Sequence, residues 1–429
     1  MTALAIRQVF ILSAIVRSGR FLRQRGAPVP TRQEEPEFFV VLPVLREAAL
    51  LGETVAHFRA LAHGHPATVV VVTTARETAE AHMHGEAGDT IAAAEALAQR
   101  GECVHLHYPD PTGVKGDQLN YAAAHCAQTL PPVALNSGAF ILCYDADSRP
   151  PLGSLASFAS VITENPEAGV FHQSSRFELR PVHPTRPRGF GRMVCDAGAL
   201  RANRFVLGFE IPRLTNCSAR VSAVKRALCS GVYAHVTGHG LCVRLALLRS
   251  LPFPARSPLE DMHYSFILGS RGLPMLAVPS LDSAEVPGTV RGQVGQAARW
   301  FFGPARFTRY LRDPATRRGW RAWLMAASAF GSAAEWIGCA IVPALACVLL
   351  AVGDGPVRAA TAFLVVVCGV QLVLTERWLG SPTRLSARVA RLLAFPLACA
   401  VHGAGGIVDT GRLLAGGTGA GKTERGPTP

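Results

Sequence analysis

The sequence predicts an α/β domain with a parallel sheet over residues 37–310, followed by membrane helices over 311–415. Three observations carry this. Short apolar runs rich in β-formers alternate with helical stretches from residue 38 onward. Such runs, buried on both faces, mark parallel strands covered by helices. The C-terminal third then changes to long stretches almost free of charge, and all five tryptophans lie in the second half of the chain, several at the edges of apolar runs. That placement matches an aromatic belt at a membrane interface.

Residues 1–36 come first. An apolar stretch interrupted by Arg7 precedes a basic patch of Arg17, Arg20, Arg23 and Arg25. A spanning helix needs about 20 apolar residues, so an interfacial amphipathic helix is expected here in preference to a span. No cleavage site marks a signal peptide. Residues 26–37, with Pro28, Pro30 and Pro36, read as a linker.

The expected strands are Phe38–Leu42, Thr68–Thr74, Cys103–His107 and Phe140–Tyr144, with helices near 48–62, 76–100 and 116–130. In sheets of this kind ligands bind beyond the carboxyl ends of the strands. The residues just after each strand are therefore the ones to weigh. Further on, residues 322–353 hold one charge, Glu335, while 359–375 and 392–408 hold none. Membrane helices are expected there, either with the third stretch re-entrant or interfacial, since it contains Pro396, His402 and several glycines, or with residues 322–333 beginning a separate helix. Arg377, Arg384, Arg388 and Arg391 mark the loop after the second stretch as cytoplasmic.

The net charge is +13. A basic chain suits nucleic acid, an anionic membrane face or a phosphorylated substrate. The Lys and Arg residues gather beside apolar segments and form no nucleic-acid-reading module, so the membrane surface is favoured and nucleic acid is not expected. Eleven scattered cysteines without a CxxC pair exclude a disulfide framework and a zinc site of the usual spacing. His82/His84 and His105/His107 are read as polar surface. Residues 416–423 satisfy the phosphate-loop pattern, but the chain leaves no room for the helix such a loop requires, so 416–429 read as a flexible glycine-rich tail.

The chemistry concentrates in a few motifs. Asp145 and Asp147 follow the fourth strand, and carboxylates at that spacing can both reach a hard divalent cation, Mg2+ or Mn2+, whose other ligands come from a diphosphate and water. Gly238-His239-Gly240, Glu260-Asp261 and Gln296-x-x-Arg299-Trp300 come later. An acid supplies a general base for a hydroxyl nucleophile. Arginine binds diphosphate oxygens bidentately, and a tryptophan offers a flat apolar face for a sugar ring. Each motif alone has an ordinary structural reading: a polar strand end, a helix cap, an interfacial anchor.

In this order and spacing, over residues 38–305, the motifs resemble those of the membrane-integrated family 2 glycosyltransferases, the branch that includes cellulose and hyaluronan synthases. The resemblance implies a GT-A-like (Rossmann-like) nucleotide-sugar domain and an inverting transfer at the membrane. Pro43 to Glu47 would begin the nucleotide site. Lys115 and Asn120, in Lys115-Gly116-Asp117-Gln118-Leu119-Asn120, would stand beside the donor. Asp145 and Asp147 would hold the metal, Gly238 and His239 the acceptor side, and Asp261, with Glu260, the base position. Gln296, Arg299 and Trp300 would serve the diphosphate and acceptor. Two positions depart from the pattern. Thr73-Thr74 stands where an aspartate often reads the nucleotide base, with Glu77 as the substitute, and Leu259 stands for a threonine. The implied donor is a nucleotide-sugar, a UDP-sugar first. The implied acceptor is a glycan or a lipid-linked one, with the bilayer and membrane partner subunits as further partners. The implied location is the cell membrane, multi-pass, with the catalytic domain cytoplasmic. The rival readings are a single-transfer enzyme acting on a lipid or polyprenyl-phosphate acceptor and a non-enzymatic membrane partner.

Overall fold

The computed structural model describes residues 2–24, 35–84, 89–130, 138–179, 189–216, 236–379 and 385–415. The side chains of His82 and His84 and the phosphate-loop pattern at 416–423 lie outside the described residues.

The expected α/β class is present. Strands β1 (Glu37–Pro43), β2 (Ala67–Thr74), β3 (Val104–Tyr108) and β4 (Ala139–Cys143) are where the apolar runs place them. They pair in parallel in the order β3-β2-β1-β4. Alternate residues of each strand feed two cores. Phe38, Val40 and Leu42 pack with Leu51, Val55 and Phe58 of the helix Ala48–Ala62 on one face. Val41, Val70 and Ile141 pack with Leu119 and Ala123 of the helix Lys115–Thr129 on the other. Burying each such side chain contributes about 1.5–3 kcal/mol, so a one-residue register slip would reverse both layers at once.

Beyond β4 the sheet departs from the all-parallel expectation. β5 (Val170–His172), β7 (Leu241–Arg244) and β8 (Met275–Ala277) extend it in the order β4-β7-β5-β8, and β7 runs antiparallel to both β4 and β5. A separate parallel pair joins β6 (Ser175–Glu178) to β9 (Asp282–Glu285). The expected helix over 76–100 is two helices, Arg76–His84 and Asp89–Gln99. His105 and His107 share one face of β3, where His107 is exposed and His105 half-buried, as expected of polar surface, and both bond the Thr73 hydroxyl, at 2.8 and 3.0 Å.

Among the described residues, three helices are long and apolar enough to cross a membrane: Thr2–Leu22, Gly355–Leu379 and Leu385–Leu414. A fourth crossing exists if Trp320–Gly338 and Val342–Val352, bent by 61° at their junction, act as one. The first stretch, expected as an interfacial helix in preference to a span, has the length and composition of a span. The third, expected to be re-entrant or interfacial, is one continuous helix through Pro396 with the length and composition of a span. Helix Thr2–Leu22 packs along Gly355–Leu379, where Gly19 lies under the Trp378 ring. Leu385–Leu414 packs against Phe190–Phe205 and Val290–Ala305. The apolar helices and the α/β layer are therefore in direct contact.

Candidate active site

A cavity of about 1870 Å³ opens at the carboxyl end of β1 and β4 and continues between the apolar helices. Its polar end is built from five segments.

The first is the turn after β4. Tyr144 is fully buried and its hydroxyl bonds Gln173. The Ala146 carbonyl accepts from the Thr54 hydroxyl at 2.6 Å, and Ser148 N–H donates to the Asp145 carbonyl at 3.0 Å. With its backbone held on both sides, the turn presents Asp145 and Asp147 to the cavity.

Residues 43–47 form the second segment, with Pro43 and Glu47 on the cavity wall. Arg46 sits at φ 57°, a conformation costly for a residue with a Cβ. Glu77 offsets that cost: one oxygen accepts from Arg46 N–H at 3.2 Å and the other from Thr90 N–H at 3.3 Å. Glu77 is buried and does not line the cavity, so its carboxylate clamps the loop instead of reading a nucleotide. Thr74 does reach the cavity.

Lys115 begins the third segment, the helix Lys115–Thr129. Its ammonium lies 2.5 Å from Asp145 Oδ1 and donates to the Gly238 carbonyl at 2.6 Å. Burial disfavours the charged ammonium, but the charges of Asp145 and Glu260 outweigh it and raise the Lys115 pKa above its usual value. Asn120, on the same helix, turns away. It exchanges two 2.9 Å bonds with the Phe253 backbone and fixes the loop before Glu260. The polar side chain of this helix that does line the cavity beside Lys115 is Gln118, which donates to the Val72 carbonyl at 2.8 Å.

The fourth segment is Thr237–Gly240. A Cβ on Gly238 would stand 3.0 Å from Lys115 Nζ, 3.3 Å from Glu260 Oε1 and 3.4 Å from Asp261 Oδ2. A side chain at this position would press on all three groups. Gly240 adopts φ +64°, and a Cβ there would meet the Gln173 carbonyl at 2.3 Å. His239 sits 3.0 Å from the Ser175 hydroxyl and 3.6 Å from Asp282. Burial opposes its protonation, but Asp282 and Asp145 prevail and raise its pKa.

Glu260 and Asp261 open the helix Glu260–Ser270 as the fifth segment. Burial raises both carboxyls: Glu260, beside the Asp261 charge, is pushed up to about 8, and Asp261 rises for the same first cause. The backbone divides the roles. Met262 N–H donates to Asp261 Oδ1 at 2.7 Å, and the Gly238 amide also favours the ionised form. Asp261 is thus the member that ionises first, with Glu260 retaining its proton. Gly116 makes room for this pair, since a Cβ there would lie 3.0 Å from Glu260 Cβ.

Gln296, Arg299 and Trp300 reach the cavity from the helix Val290–Ala305. Thr289 caps that helix by accepting from Gly292 N–H at 3.1 Å, and Trp300 meets Phe177 edge-on at 5.9 Å. Twelve of the fourteen residues expected from the motifs line one cavity. The two that do not, Glu77 and Asn120, support its loops. Sequence reasoning missed Arg201 and Arg204, which lie on the cavity wall with no motif to announce them.

The carboxyl pair leads to a pH prediction. Asp261 must be ionised to accept a proton, so activity should rise with pH along a limb above the ordinary aspartate value of 3.8. As pH passes about 8, Glu260 loses its proton and adds negative charge beside any bound diphosphate, so activity should fall. The pH profile of kcat/KM for Glu260→Gln should lack the alkaline fall. An unchanged fall would assign it to another group.

Residues 202–375 match the model of glycosyl transferase family group 2. That stretch takes in Gly238–Gly240, Glu260-Asp261 and Gln296–Trp300 and begins after Asp145. No curated protein matches the chain. Among solved structures the chain is similar to the mannosyltransferase PcManGT from Pyrobaculum calidifontis in complex with GDP-Man and Mn2+. That match has 17% identity and a TM-score of 0.46, over 87% of this chain and 97% of that one. It is also similar to mannosyl-3-phosphoglycerate synthase from Rubrobacter xylanophilus, at 18% identity and a TM-score of 0.36 over 65% and 78% of the two chains.

Proposed function

We propose that this protein is an inverting glycosyltransferase that moves a sugar from a nucleoside-diphosphate donor to an acceptor hydroxyl at a membrane. The observation that carries the reading is the meeting, in one cavity, of Lys115, Asp145 and Asp147, Asp261, and Arg299 with Trp300, from segments far apart in the chain. The acceptor hydroxyl gives its proton to the Asp261 carboxylate as its oxygen bonds to the anomeric carbon. The bond from that carbon to the diphosphate breaks, and the electron pair leaves on the diphosphate. One displacement inverts the centre. Lys115 and Arg299 offset the charge on the leaving group. We read the α/β domain as cytoplasmic, from the arginines at 377, 384, 388 and 391.

A divalent cation fits Asp145 and Asp147 as hard oxygen ligands. Among the described residues no group of three or more His, Cys, Asp or Glu side chains could hold a metal. Lys115 already rests on Asp145. The pair therefore suits Mg2+ or Mn2+ arriving with the donor, its remaining ligands being diphosphate and water. When bound, the cation stabilises charge on the leaving diphosphate.

The test uses the purified full chain in detergent with labelled UDP- and GDP-sugars and Mn2+. Transfer or metal-dependent donor hydrolysis is expected with one donor class. In thermal melts, Mn2+ alone should shift the midpoint little, and Mn2+ with the matching nucleoside diphosphate should shift it by more than the two separate shifts together. Absence of binding to every donor would overturn the enzymatic reading in favour of a non-enzymatic membrane partner.

A further inference from the structure

The cavity has two chemically different ends. One holds Asp145, Lys115 and Asp261. The other runs between the apolar helices, past Leu349, Leu364, Val365, Leu372 and Phe395. Arg201, on the helix Phe190–Phe205, stands on the wall of this cavity.

Among the described residues no hydrogen bond or ion pair reaches the Arg201 guanidinium. Its charged neighbour is Arg204, of like sign, and its other electrostatic neighbours are the thiols of Cys339 and Cys399 and the His402 imidazole. Arg204 is itself held by neutral amides, Gln371 at 2.8 Å and Gln8 at 3.2 Å. Burial pushes the Arg201 pKa down. A half-buried guanidinium without a counter-charge is poorly compensated, and neutral amides and thiols supply none. A phosphate would. A neutral glycan would bring no charge to Arg201, and its hydroxyls would find few partners on the apolar walls. An uncharged lipid would suit those walls but leave the guanidinium unmatched.

We propose that this arm of the cavity is the acceptor site and that its occupant is an anionic amphiphile, a lipid with its phosphate against Arg201 and its hydrocarbon chain among the apolar helices. Its role as acceptor rests on the glycosyltransferase reading; its binding does not. The phosphate anchors the lipid, and a headgroup hydroxyl is what Asp261 deprotonates.

The experiment measures binding of single-chain probes to the full chain in neutral detergent, through tryptophan fluorescence, since Trp336 lines the cavity. Dodecyl phosphate should bind at least tenfold more tightly than dodecanol or dodecyltrimethylammonium, and inorganic phosphate alone should not bind measurably. Arg201→Gln should remove the preference and Arg201→Lys should retain it. Equal binding of the three probes by the wild type overturns the proposal, as does a preference that survives in Arg201→Gln. A phosphate preference without sugar transfer from any donor would sink the glycosyltransferase reading and leave the lipid site standing. Transfer to a water-soluble sugar without the preference would do the reverse.

Discussion

Asp261→Asn should lower kcat for sugar transfer by about 10³-fold and leave donor binding unchanged. The substitution keeps the shape of the side chain. Its amide oxygen can still accept from Met262 N–H, which donates to Asp261 Oδ1 at 2.7 Å in the wild type, so the helix start should hold. What disappears is the group that takes the acceptor proton. Glu260 is a poor substitute, because it is pushed up to about 8 and holds a proton through the neutral range. The effect should fall on kcat and kcat/KM together, the pattern of an interaction made in the transition state. Steady-state kinetics beside calorimetric titration of the nucleoside diphosphate would measure both halves. Normal turnover in this variant would remove Asp261 from the role of base.

Gly405→Val should be the most damaging substitution far from the acids. A Cβ at Gly405 would stand 2.5 Å from Ala297 Cβ and 2.7 Å from Ala298 N, and one at Gly403 would stand 2.3 Å from Ala340 N. The helix Leu385–Leu414 thus touches the backbone of the helix that carries Gln296, Arg299 and Trp300. Small residues permit such approach between apolar helices. A valine must push backbone, and overpacking of this kind costs on the order of 3 kcal/mol. The melting midpoint should drop, and transfer should fall with it as Arg299 and Trp300 are displaced. Gly411→Val, on the same helix where a Cβ meets nothing within 4 Å, should melt like the wild type. Equal midpoints for the two variants would mean that the close packing at Gly405 does not form.

β1, β2 and β4 were legible because each is a short run of mostly buried apolar residues, such as Phe38–Leu42, and β3, with only Leu106 buried, because it follows them in the same alternation with helices. Chain length and missing charge announced the apolar helices in the same way. The middle of the sheet was not legible. β5 and β8 have three residues each and β7 has four, too few for a periodic signal, and their directions depend on partners distant in sequence. Glu77 and Asn120 show a second limit. A carboxylate or amide in a motif can serve a ligand or an unpaired backbone group. The fold decides which, here by presenting the amides of Arg46 and Thr90 to Glu77 and the Phe253 backbone to Asn120. Arg201 belongs to no motif, and its interest appears only once its surroundings prove to lack a carboxylate.

The reversed strand β7 bears on how the chain is made. β4 is complete by residue 143, yet its neighbour on the open side is β7, about a hundred residues later. During synthesis the growing sheet therefore exposes unpaired backbone along β4 until residues 241–244 emerge. An exposed strand edge is a template for pairing with other chains, and late long-range pairing prolongs that exposure. The first helix, Thr2–Leu22, waits longer still for Gly355–Leu379. Truncations ending between residues 150 and 240 should therefore aggregate, while the full chain closes the sheet with its own strand.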